Sequence, residues 1–169
     1  ELLNQSDYGY KNVYKAQALL DEIIKADRKF APAHREYARF LIMTGQWVDE
    51  NNPRSKVSWP EATIQRALKL EPDYADAYVL LGHVYNLLGM YGEAFQVLSK
   101  AAQMGTEIPW LALNFADLYE AIDKDSLALT IYLNVAERGT PNKSAYVQAV
   151  LGAADTYWGL RELEKADAM

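Results

Sequence analysis

Residues recur in this chain at a fixed step of 34, and that step constrains the fold more than any single side chain does. Gly82-x-x-Tyr85 returns as Ala116-x-x-Tyr119, Ala94 as Ala128, Leu98 as Tyr132, and the turn Gly105-Thr106 as Gly139-Thr140. In the other direction Ile64, Ala67 and Pro72 map onto Leu98, Ala101 and Thr106. Apolar residues inside each period fall at helical spacing, so each period is one helix–turn–helix unit that buries its apolar side against its neighbours. The period therefore predicts an all-α array of antiparallel helix pairs.

The register divides the 169 residues, read as one domain 1–169, into a partial repeat 1–30, repeats 31–74, 75–108 and 109–142, and a partial repeat 143–169. In 75–108 the first helix carries Tyr78, Leu81, Val84, Tyr85 and Leu88, and Gly89 breaks it. The second helix carries Ala94, Val97, Leu98 and Ala101, with Gly82 expected to face Ala94 and Ala101 at the crossing. Repeat 109–142 follows the same plan with Asp123-Lys124-Asp125 as its break. In 31–74 a polar insert, 46–57, precedes a helix start at Ser58-Trp59-Pro60-Glu61, where Ser58 and Glu61 have the spacing of a capping box and Trp47 and Trp59 flank the insert. Ala16, Leu19, Leu20, Ile23 and Ile24 supply a second helix to the partial repeat 1–30. After Asn142 the step lengthens by about four residues before Ala153, Ala154 and Tyr157 resume the pattern.

Tyr78-x-x-Leu81-Gly82-x-x-Tyr85, Gly89-x-Tyr91-x-Glu93-Ala94 and Leu98-x-x-Ala101 together resemble the tetratricopeptide repeat over nearly the whole chain. The stretches 100–105 and 135–139 also resemble the related Sel1-like repeat, but the step of 34 favours the tetratricopeptide pattern. The resemblance implies a right-handed superhelical solenoid with a concave groove lined by the first helix of each pair. It also implies a non-enzymatic scaffold that binds a peptide or helix of a partner protein. The alternative is a regulatory or substrate-recruiting domain of a larger enzyme or of a secretion or assembly complex.

Carried onto this sequence, the groove columns are Arg35, Val79, Leu113 and Leu151; Arg39, His83, Asp117 and Asp155; Ile42, Asn86, Glu120 and Trp158; and the entry column Pro32, Asp76, Trp110 and Gln148. They predict a basic early end (Arg35, Arg39), an apolar middle (Val79, Leu87, Leu113) and an acidic late end (Asp117, Glu120, Asp155) flanked by Trp110 and Trp158. Family members that hold a peptide's terminal carboxylates do so with Lys and Asn in these columns. The Val, Leu and Asp residues here argue against that ligand.

Nothing in the sequence assembles a catalytic, cofactor or metal site. The two histidines, His34 and His83, lie far apart and outside any metal-ligand spacing, and His34 occupies the packing slot of Tyr78. Gly139-Thr140-Pro141-Asn142-Lys143-Ser144 coincides with a repeat boundary and reads as a turn rather than a phosphate loop. With no cysteine, both thiol chemistry and disulfides are excluded, which suits a cytoplasmic or periplasmic soluble protein alike. A net charge of −6 argues against a nucleic-acid partner, whose phosphates call for clustered Lys and Arg, and so against an RNA-reading helical repeat. No apolar run is long enough for membrane insertion. Glu1 is not an initiator Met, so the chain is read as one segment of a longer, bacterial-style repeat protein. Its cut terminal repeats are expected to expose apolar residues such as Tyr157 and Leu163 and to self-associate.

Overall fold

The computed structural model describes residues 2–45, 58–162, 165, 166 and 168, with side chains from Asn12 onward and from Pro60 onward. The insert 46–57 and the side chains of Ser58, Trp59 and Leu163 lie outside the described residues, and with them the capping box and the flanking tryptophans of the insert. Among the described residues there are eight helices and no strands: α1 (Leu2–Ala26), α2 (Ala31–Thr44), α3 (Ser58–Leu70), α4 (Ala75–Leu87), α5 (Tyr91–Gln103), α6 (Pro109–Ala121), α7 (Asp125–Arg138) and α8 (Lys143–Gly159). In register terms α2, α4, α6 and α8 are first helices, while α1, α3, α5 and α7 are second helices.

Each first helix ends on a left-handed residue at one register position: Gly45 (φ 65°), Gly89 (φ 69°), Asp123 (φ 58°) and Arg161 (φ 63°). A left-handed residue reverses the chain out of a helix while its neighbours keep their backbone hydrogen bonds. Asp tolerates that conformation better than most side chains, which lets Asp123 replace the glycine. The recurrence at Arg161 also explains the longer last step. α8 has 17 residues where α4 and α6 have 13. Four added residues make about one turn of 3.6, so the columns of α8 stay nearly in phase.

Packing divides the chain into two compact units, Glu1–Leu80 and Leu81–Met169. In the first, α2 packs on α1 and α3. Ala31, Ala33, His34, Ala38 and Leu41 of α2 are buried, as are Pro60, Ile64 and Ala67 of α3. His34 takes its packing slot, with Nε2 hydrogen-bonded to the carbonyl of Arg28 at 2.9 Å. The apolar side read for α1 is only partly covered: Leu20 and Ile24 are half-buried, whereas Ala16, Leu19 and Ile23 are exposed.

In the second unit α6 packs on α5, α7 and α8, and α7 packs on α8. Its core joins Leu113 and Tyr132 to the small residues Ala116, Ala128, Ala145, Ala149 and Ala153. Alanines at these crossings let helix axes approach closely. At the α4–α5 crossing the partner of Gly82 is Leu98, not the expected pair Ala94 and Ala101: a Cβ on Gly82 would fall on the Leu98 side chain. No helix among the described residues is long and apolar enough to cross a membrane.

Candidate protein-interaction surface

First helices in the second unit are joined by polar side chains. Asn114 of α6 is 3% exposed, and its Nδ2 donates to the Trp110 carbonyl at 2.7 Å. That leaves Asn114 Oδ1 as the acceptor facing His83 Nδ1 at 3.0 Å, so Nδ1 carries the proton. Asn86 Nδ2 donates to the Asn114 carbonyl at 2.8 Å, while Asn86 Oδ1 stays buried without a partner.

One repeat later the same columns meet α8. The Tyr132 hydroxyl donates to Asp117 Oδ1 at 2.6 Å, and Glu120 Oε2 lies 3.3 Å from the Tyr132 hydroxyl oxygen. Thr156 Oγ1 donates to the Gly152 carbonyl at 2.7 Å and sits 3.3 Å from Glu120 Oε1. The register relates His83 to Asp117 and Asn86 to Glu120, so one seam recurs with different chemistry: amides and imidazole first, carboxylates and hydroxyls second.

Helical packing of this kind has a counterpart among known families. The family pattern described as Tetratricopeptide repeat matches residues 63–96, from within α3 into α5. The chain thus carries a segment that matches the tetratricopeptide repeat. No curated protein sequence matches the chain. Among solved structures, a chain of the APC/C hetero-tetramer Cut9–Hcn1 aligns with a TM-score of 0.77 and 15% identity, over 93% of this chain and 29% of that one. The thermophilic protein TTC0263 of Thermus thermophilus aligns at 0.68 and 17% identity, over 88% of this chain and 76% of that one. YrrB, described as having an unusual peptide-binding site, aligns at 0.56 and 20% identity, over 87% and 86%. At these identities the likeness is one of fold, an all-α helical repeat. Cut9–Hcn1 extends well beyond it, since this chain spans under a third of that length.

Within the tetratricopeptide frame, several columns differ from their sequence reading. Val79 and Leu113 are 3% and 1% exposed, so they are core and cannot receive a partner's side chains. An apolar residue in this column gains more by packing on its neighbours than by facing water. Leu87 is exposed. Arg35 and Arg39 are not a free cationic pair: Glu36, which the columns omit, accepts from Arg35 Nη1 on one oxygen and from Arg39 Nε at 2.8 Å on the other. Burial pushes the Glu36 carboxyl up, but Arg39 and Arg35 together outweigh it and hold the group below its usual range. Arg39 Nη1 also reaches Met43 Sδ at 3.3 Å.

Trp110 is half-buried against the core of the second unit. Asp155 is exposed and Trp158 of the same helix is 65% exposed. Burial raises the Asp117 carboxyl against the opposing pull of Tyr132 and His83. Glu120 is raised by burial first, then by Asp117 and Asp155, against its bonds to Thr156 and Tyr132. Among the described residues no Lys or Arg pairs with any of these three carboxylates. The side-chain groups within hydrogen-bond reach of Asp117 and Glu120 are the hydroxyls of Tyr132 and Thr156, which carry no charge to cancel theirs.

Asn114, Thr156, Glu36 and the hydroxyl of Tyr132 complete this arrangement and were absent from the sequence reading. Asn114 and Thr156 left a faint signal, Asn114 at helical spacing between Leu111 and Leu118 and Thr156 one turn beyond Gly152 and Ala153.

Proposed function

We propose that the chain is a non-enzymatic protein-interaction module that holds a basic segment of a partner along Asp117, Glu120 and Asp155. Scaffolding of protein–protein contacts is the general role of tetratricopeptide-repeat folds, and the chemistry of this column narrows the partner. One observation carries the reading: among the described residues no Lys or Arg pairs with the neighbouring carboxylates Asp117, Glu120 and Asp155, two of which burial raises. A Lys or Arg from a partner would supply that charge in a partly desolvated place, where an ion pair is screened less than at an open rim. Trp158, exposed on the same helix as Asp155, offers a flat face to an aliphatic stem or a cation. The unfilled acceptor Asn86 Oδ1 stands one register step before Glu120.

Fluorescence anisotropy tests this reading with two labelled peptides of equal length, one rich in Lys and Arg and one rich in Glu. The basic peptide binds, weakens as salt rises, and loses at least about tenfold in affinity to Asp155→Lys, while the acidic peptide does not bind. Equal binding of both peptides, or an Asp155→Lys variant indistinguishable from the parent, rules the reading out.

A further inference from the structure

A second open surface lies in the same unit, away from the acidic column. α5, α6 and α7 and the turns after α5 and α7 enclose a cleft of about 1080 Å³. Its floor is a run of three rings: Phe95 meets Phe115 edge-on at 6.0 Å, and Phe115 stacks with Tyr119 at 6.3 Å. Ile131 and Val135 of α7 form one wall. The preceding repeat closes at this place, because Leu81, Tyr85 and Ala101 are buried where their register counterparts Phe115, Tyr119 and Val135 are only partly covered. Phe95 is 47% exposed, the other two rings less so. A large apolar patch rimmed by polar groups is a feature of surfaces that meet a partner.

The rim carries charge that nothing among the described residues balances. Arg138, in the last turn of α7, and Glu107, before α6, both line the cleft and are exposed. Neither is in an ion pair with the other or with any other described residue. A guanidinium beside an aromatic floor suits a ligand that joins an apolar side chain to a carboxylate, since Arg binds planar carboxylates through two parallel hydrogen bonds.

We propose that this cleft docks a short amphipathic segment of a partner protein, with one large aliphatic or aromatic side chain against Phe95 and Phe115 and an acidic side chain on Arg138. Glu107 excludes an acid from its own side of the cleft, which sets the direction of the segment by like-charge repulsion. The site stands apart from the basic-segment column and does not depend on it.

Selection of phage-displayed random peptides on the immobilised chain, followed by anisotropy titration of the synthetic consensus peptide, tests the proposal. The expected consensus pairs a bulky apolar residue with Asp or Glu a few positions away. Phe95→Ser and Arg138→Glu each weaken that peptide at least about tenfold, as truncation at an interface anchor does. A peptide with Lys in place of its acid recovers affinity for Arg138→Glu, and Asp155→Lys changes affinity less than about twofold. Both altered positions are exposed, and circular dichroism confirms that the variants fold. Failure to enrich any sequence, a consensus without an acid, or unchanged binding by the two folded variants overturns the proposal. Peptides that are basic and sensitive only to Asp155→Lys support the acidic column and overturn the cleft.

Discussion

The ring of Tyr132 occupies the space where a side chain on Gly152 would begin: a Cβ there would lie 2.5 Å from ring atoms Cε1 and Cζ. The contact lets α7 and α8 approach and aims the Tyr132 hydroxyl at Asp117. The same closeness recurs between Gly82 and Leu98, which is the register counterpart of Tyr132. The two cases differ in stiffness, because a leucine tip can change rotamer and a packed phenol ring cannot.

That difference predicts unequal costs for the same substitution. Gly152→Ala should destabilise by about 2 kcal/mol or more through overpacking, even after the gain in helix propensity of about 1 kcal/mol. Gly82→Ala should cost less, while Gly82→Leu, which the Leu98 side chain blocks outright, should cost at least as much as Gly152→Ala. Urea unfolding followed by circular dichroism ranks the three, and equal midpoints would refute the packing described here.

Asn114 serves three partners at once through its two amide atoms and its carbonyl. Asn114→Leu keeps the volume but leaves His83 Nδ1 without its acceptor and removes the side-chain bond to the Trp110 carbonyl. A loss of about 1–3 kcal/mol is expected, in line with a buried group left unsatisfied. Thermal denaturation of Asn114→Leu beside Asn114→Asp reads this, and a stability gain on Leu would show that the seam is dispensable.

The carboxyls predict opposite pH slopes. Asp117 is raised above its ordinary value of 3.8, so its contribution favours the fold while both states are protonated and is lost as pH rises through the folded value. Asp117→Asn should therefore raise Tm at pH 7 and change it little near pH 3. Glu36 is lowered from 4.5, so its contribution is present above that value and is lost as pH falls through the folded one. Glu36→Gln should lower Tm at pH 7 and converge with the parent in acid. Melting curves from pH 3 to 7 decide both, and parallel curves would contradict the assigned shifts.

Self-association expected at the chain ends is better tested at Leu151 and Trp158 than at Tyr157 of the same helix α8, which is half-buried with Lys165 Nζ 5.5 Å from its ring centre. Leu151 and Trp158 are 55% and 65% exposed on that helix. The parent should gain mass with concentration in sedimentation velocity, and Leu151→Asp with Trp158→Asp should stay monomeric. A parent that is monomeric throughout removes this interface.

The helices and their breaks were legible in the sequence because they rest on local chemistry. Gly89 and Asp123 mark where a first helix must reverse, and Ala94, Leu98 and Ala101 mark a buried stripe, all within one turn or one period. The tetratricopeptide frame followed from those repeats alone. The roles of the groove residues did not. Periodicity says which face a residue occupies but not which polar atom it meets on another helix, 15 residues away for Asp117 and Tyr132 and 31 for His83 and Asn114. Val79 and Leu113 became core, and His83 and Asp117 found Asn114 and Tyr132, only once helix spacing and side-chain direction were fixed. Burial and hydrogen-bond pairing are properties of that three-dimensional arrangement, so the tertiary structure alone decided which charges remained open to a partner.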